Sequence, residues 1–135
     1  MPVAARAQEV LTEVSPQRMT KILTSMGLEV QDAGRSDDGK QSRLKFDLAG
    51  YTVLLFLFNE NTDAQLFVGF RDKVKEARVN EWNRDHRFAR AYRDKDGEAV
   101  LETDIDFTGG VTEANIKAWV KIFRDVTGAY AQFVR

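Results

Sequence analysis

The sequence predicts an α+β fold, an antiparallel β-sheet with helices before, within and after it, in the order α-β4-α-β2-α. Three observations carry this prediction: apolar residues at helical spacing near both ends, alternating or continuous apolar runs between them, and short Gly-containing turns joining those runs. Strands joined by turns pair as a meander rather than as βαβ units.

Ser15 and Pro16 start the first helix, Ser as N-cap and Pro at the first helical position, where its missing N–H costs nothing. Met19, Ile22, Leu23 and Met26 form its apolar stripe, and Gly27 closes it. Leu28 to Asp32 reads as a strand, followed by a turn at Asp37-Asp38-Gly39. Leu44, Phe46 and Leu48 alternate with Arg43, Lys45 and Asp47, the period of a half-exposed strand. Val53 to Phe58 is apolar on both sides, as in a central strand covered on both faces by helix, partner chain or its own loops. Asn59 to Asp63 turns the chain into a strand over 64–70.

From Asp72 charged residues interleave with Val74, Ala77, Val79 and Trp82, a second helix running to about Arg84. Phe88 to Arg93 and Ala99 to Phe107 form a hairpin around Asp94-Lys95-Asp96-Gly97. With Asp96-Gly97 as a two-residue turn, Tyr92 faces Leu101 and Phe88 faces Ile105 on the apolar side. Glu102, Asp104 and Asp106 then line the other side, opposed by Ala89 and Ala91. Thr112 caps a long last helix with Ile116, Trp119, Val120, Phe123, Val126 and Tyr130 on one stripe.

The chain has 135 residues, within the span of about 100 to 200 that one domain takes. We divide it into a lead-in over 1–14 and a single domain over 15–135. With 43% hydrophobic residues it can build a core without staples, which argues against disorder. Lys and Arg number 20 against 21 Asp and Glu, so no global field draws it to nucleic acid or an anionic membrane. The absence of Cys excludes disulfides, thiolate nucleophiles and Cys-ligated metals, and a single His excludes multi-His metal sites. No apolar stretch reaches the roughly 18 to 20 residues of a spanning helix. Ala5 and Ala7 have the small-x-small spelling of a signal-peptidase site without the preceding charged and apolar regions. If they end a trimmed signal peptide the protein is periplasmic or secreted; otherwise it is cytoplasmic.

Four groups of residues invite a chemical reading. Glu102, Asp104 and Asp106 place carboxylates about 7 Å apart along one strand face, close enough to share a ligand or split acid and base roles; the plainer reading is a solvated face. Asn59, Asn61, Asp63 and Gln65 imitate the start of a calcium loop, but Ala64 stands where Gly is needed and Phe70 where Glu is needed, which leaves a turn. His86 has no second His, nucleophile elbow or phosphate loop beside it, and reads as a helix-end or surface residue. Residues 71–96 carry nine bases and six acids, whereas 98–113 carry five acids and no base. That charge dipole permits anion contact through Arg84, Arg87, Arg90 and Arg93, though pairing between neighbouring strands accounts for it more simply.

The segment from Asn80 to Tyr92, followed by Asp96-Gly97, Leu101 to Phe107 and Gly109 to Glu113, resembles the YbjN family. The resemblance extends over about 15–134 and is most specific from Asn80 to Trp119. It implies a type III secretion chaperone-like fold and members described as candidate sensory-transduction regulators, some chaperone-like. Many relatives are exported, which lends weight to the Ala5–Ala7 spelling, and no family catalytic residue exists to carry over. Asn80, Trp82 and Asn83 lie within the resembling segment. Their expected role is structural, Trp82 anchoring the second helix and the Asn side chains closing backbone groups where helix gives way to strand.

These readings lead to a non-enzymatic regulatory or chaperone-like domain, without cofactor or metal, that binds another polypeptide and forms a homodimer. The motivation beyond resemblance is that segments 51–58 and 64–70 hold more apolar strand surface than three modest helices cover. The alternative is a small-molecule or metal-ligand sensor using Arg90, Glu102, Asp104 and Asp106. Nucleic-acid binding ranks last, and no membrane contact is expected.

Overall fold

A computed structural model describes residues 8–135. Residues 1–7, and with them the signal-peptide reading of Ala5 and Ala7, lie outside the described residues. The elements are α1 (Pro16–Ser25), β1 (Gln31–Arg35), β2 (Ser42–Leu48), β3 (Tyr51–Phe58), β4 (Asp63–Lys73), α2 (Glu76–Asp85), β5 (Arg90–Arg93), β6 (Glu98–Asp106) and α3 (Glu113–Phe133). The strands form one antiparallel sheet in the order β1-β2-β3-β4-β6-β5. This is the α+β architecture and element order read from the sequence.

Local chemistry sets the helix ends. The Ser15 side chain accepts from the Arg18 N–H, and Gly27, at φ +84°, lets the chain leave α1. A capping box starts α3: Thr112 Oγ1 accepts from the Asn115 N–H and Asn115 Oδ1 accepts from the Thr112 N–H, both at 3.1 Å. Met19, Ile22 and Leu23 of α1 and Ile116, Val120, Phe123 and Tyr130 of α3 are buried, and Trp119 and Val126 flank that stripe half-buried. Upstream of α1, Leu11 bridges to Val111 and Val14 is fully buried.

Alternation along the strands divides the sheet into two unlike faces. Leu44, Phe46, Leu48, Val53, Leu55, Leu57, Leu66, Val68 and Leu101 point into the core with the helices. Phe70 of β4 packs edge-on against Tyr130 of α3 with ring centroids 5.4 Å apart, and Tyr130 packs against Trp82 of α2 at 4.8 Å. All three helices therefore serve the inner face. On the outer face Leu54, Phe56, Phe58 and Phe67 are half-buried, with Phe56 6.0 Å from Phe58 and 6.3 Å from Phe67 between centroids.

Four local expectations are corrected. The first strand begins at Gln31, not Leu28, because Leu28 and Val30 pack onto the core and the Leu28 N–H still bonds back to the Leu23 carbonyl. The second helix begins at Glu76, since β4 continues through Lys73. The hairpin's first strand begins at Arg90, and Phe88, at φ +75°, is 62% exposed instead of buried. Helices pack on one side of β3 only, and Leu54, Phe56 and Phe58 on its other side are half-buried.

The last correction concerns hairpin register. Arg90 pairs with Glu102, Ala91 with Leu101 and Tyr92 with Val100, one residue away from the two-residue-turn reading. The cause is the loop: Asp94 and Glu98 close it through a 2.9 Å N–H to carbonyl bond, leaving three residues between them, the last being Gly97 at φ +82°. A three-residue loop ending in a left-handed Gly shifts pairing by one and exchanges the two faces. Ala91 thus joins the core, and Arg90 and Tyr92 take the acidic side.

Candidate functional site

The shifted register builds a polar network at the β5–β6 end of the outer face. Glu102 is 8% exposed, the one carboxylate buried among the described residues. Arg90 Nε donates to Glu102 Oε1 at 2.8 Å, Arg90 Nη1 donates to Asp104 Oδ2 at 2.6 Å, and Tyr92 Oη donates to Glu102 Oε2 at 3.1 Å. From β4, Gln65 Nε2 donates to Asp104 Oδ1 at 2.9 Å. The hydrogen bond from Arg90 to Asp104, then that to Glu102, stabilises the guanidinium's charge and holds its pKa up. Burial, followed by the Glu102 charge, pushes the Tyr92 hydroxyl up.

Of the acidic strand, only Glu102 and Asp104 are drawn together. Asp106, on the same strand face, makes no bond to the network and caps the following turn, where its carboxylate accepts from the Thr108 N–H at 2.9 Å and from the Thr108 hydroxyl, which hold its pKa below the usual range. With Arg90 seated on both neighbours, no group of three His, Asp or Glu able to hold a metal forms among the described residues. The calcium-like segment is a tight turn: Asn59, Glu60 and Asn61 all have positive φ, and Thr62 Oγ1 donates to the Asn59 carbonyl at 2.8 Å.

The residues of the Asn80 segment separate. Trp82 is 1% exposed and stacks on His86, centroids 3.5 Å apart with planes at 8°. His86 closes α2, its Nδ1 3.0 Å from the Trp82 carbonyl, so its ring is turned toward the helix end rather than toward the carboxylates. Asn83 clamps β5: its Nδ2 donates to the Ala91 carbonyl and its Oδ1 accepts from the Ala91 N–H, both at 2.9 Å. Asn80 is exposed on α2.

The four arginines of the basic segment point to different partners. Arg84 lies 3.5 Å from Asp85, Arg87 stands over the Phe88 ring, Arg90 holds the acids, and Arg93 donates to the Val74 carbonyl at 3.5 Å. They do not line one track for a phosphate backbone. The groove between His86, Arg90 and Asp104 is an open depression of about 360 Å³, not a chamber. Sequence reading missed Gln65 and Tyr92 as members of the network, because their placement depends on register; the Gly97 turn was the one signal that carried it. It also missed that Leu54, Phe56, Phe58 and Phe67 share one helix-free face.

Fold and site define an α+β protein of the antiparallel-sheet class, with helices on one face and an apolar stripe ending in an ion-paired network on the other. The chain belongs to the YbjN family, described as "Putative bacterial sensory transduction regulator", whose model matches residues 15–135. No curated protein and no solved structure matches the chain. No helix among the described residues is long and apolar enough to cross a membrane.

Proposed function

We propose that this protein is a non-enzymatic regulatory domain that works by binding another polypeptide across the outer face of its sheet. The observation that carries the reading is the apolar stripe of Leu54, Phe56, Phe58 and Phe67, which no helix covers among the described residues. Apolar surface concentrated on one flat face and rimmed by charge is the composition of a protein contact. The Arg90–Glu102–Asp104 network supports the same reading, since its charges are already satisfied by one another and have no geometry for bond-making chemistry. The family's regulatory description agrees with a domain that acts through association.

The test is affinity capture with the full chain and with its Phe56→Ser/Phe67→Ser variant, both checked for folding by circular dichroism and quantified by mass spectrometry. Polypeptides retained by the native chain and lost from the variant are expected. Identical retention by both would overturn the reading. Under the same reading, calcium, magnesium and phosphate leave the melting temperature unchanged, because binding to the folded state would raise it.

A further inference from the structure

We propose that the free edge at the far end of β6 is a docking site for an extended stretch of another polypeptide, which reads base, apolar residue, small hydroxyl residue toward its C-terminus. The site lies on the edge of the sheet, apart from the apolar stripe on its outer face.

β6 outruns the strand beside it. It pairs with β4 as far as Asp63 and Asp106, whereas β5 reaches only to Arg90, opposite Glu102. Phe88, at φ +75°, turns the chain aside before β5, and among the described residues no backbone bond joins 87–89 to Asp104 or Asp106. The direction of the freed groups follows from their neighbours. Asn83 takes the N–H and carbonyl of Ala91, which therefore point away from β6, while the Asp94 N–H donates to the Glu98 carbonyl. Bonded and non-bonded pairs alternate along an antiparallel ladder, so Glu98, Val100 and Glu102 turn their backbone groups toward β5. Asp104 and Asp106 continue that set and turn theirs into the gap. The two outermost strands are shielded by contrast. Asn83 blocks β5, and β1 breaks register between Asp32 and Arg35, where the Asp32 side chain takes the Gly34 N–H.

Unpaired backbone groups along an edge are a template for a further strand. A strand that prolongs the line of β5 runs antiparallel to β6 and meets Asp106, Ile105 and Asp104 in turn. Its first and third side chains fall on the outer face and its second on the inner face. The first position calls for a base. Asp106 is exposed and lies directly across from Asp63, and these like charges are bonded by Thr108 and Asn59, with no base on either among the described residues. Half-buried Ile105 gives the second position an apolar neighbour. At the third, Arg90 and Gln65 already occupy the Asp104 carboxylate, which suits a small hydroxyl residue and disfavours a second base. An open depression of about 600 Å³ beside Asp63, Asp104, Ile105 and Asp106 leaves room for these side chains.

Calorimetric titration of the full chain with the blocked peptide acetyl-Thr-Val-Lys-Val-Thr-amide tests the proposal. Binding is expected, with slowed hydrogen exchange at the Asp104 and Asp106 amides. N-methylation of the peptide's Lys removes the N–H that the Asp106 carbonyl accepts, and is expected to weaken binding by at least about tenfold. N-methylation of the Val after it, whose N–H points away from β6, should leave binding within a few fold. Glu in place of the peptide's Lys, or Asp106→Lys in the chain with its folding checked by circular dichroism, should weaken binding by at least about tenfold. Phe56→Ser/Phe67→Ser should bind the peptide as the native chain does. No binding at about 1 mM peptide would overturn the proposal. So would equal affinity for the Lys-methylated form, which would reduce the contact to ionic attraction. Loss of binding in a folded Phe56→Ser/Phe67→Ser chain would place the peptide on the face instead and overturn the edge site as well.

Discussion

Arg90 lies directly across the β5–β6 ladder from Glu102, and its Nη2 comes within 2.5 Å of the Glu102 Oε1. The Glu102 side chain is 10% exposed and that of Arg90 54%, so a nearly buried carboxylate depends on a guanidinium that is itself half in water. Removing one partner of a fully buried pair costs about 3 to 5 kcal/mol, and screening at the exposed Arg90 reduces this. Arg90→Ala is expected to lower unfolding stability by about 1 to 2 kcal/mol in a urea titration. Arg90→Lys should recover only part, because one ammonium cannot hold Glu102 and Asp104 as the fork does.

Gly97 sets which residue meets Glu102. At φ +82° it occupies the left-handed region, and a Cβ there would meet only Lys73 Cδ at an ordinary 3.8 Å. The penalty for Ala is therefore conformational rather than steric. Gly97→Ala is expected to cost about 1 to 2 kcal/mol and Gly97→Asn less, since Asn tolerates this conformation. Thermal unfolding of the two variants checks the order.

Asn83 holds the edge strand β5 through both backbone groups of Ala91. Asn83→Ala leaves that N–H and carbonyl without protein partners and should cost about 1 to 3 kcal/mol. Hydrogen exchange should quicken at the Ala91 amide while the central β3 amides keep their protection relative to global unfolding.

Tyr130 is fully buried, and its hydroxyl has no hydrogen-bond partner among the described residues. Burial pushes its pKa up to about 12 from 10.0. The folded state thus holds the phenolic proton more tightly than the unfolded state does. Its contribution to stability is fully present below pH 10.0 and is lost as pH rises toward about 12. Absorbance titration should show this tyrosine ionising only together with unfolding. Tyr130→Phe should be neutral to stabilising by up to about 1 kcal/mol, because it removes an unpaired buried polar group.

Periodicity made the helices and the inner core legible, since Met19, Ile22, Leu23, Ile116 and Phe123 repeat at the helical spacing that burial then uses. Leu44, Phe46 and Leu48 were equally plain because one wet face forces alternation. β3 was ambiguous: a strand apolar on both sides states that both faces are dry but not what dries them. The network was hidden for another reason. Asp-Gly serves both a two-residue turn and a three-residue loop, and one residue of difference exchanges Ala91 for Arg90 opposite Glu102. Propensity around Phe88 favoured strand, whereas its positive φ and exposure place it in the bend before β5.

The central claim, that polypeptide covers the outer face of the sheet, is tested most directly by a photo-reactive phenylalanine analogue installed at position 56 in the full chain. Irradiation in cells producing the protein, with the same probe at the exposed helical residue Ile122 as reference, is followed by mass analysis of the adducts. The account predicts peptide adducts from position 56 well above those from position 122. Equal or absent adducts at position 56 would contradict it.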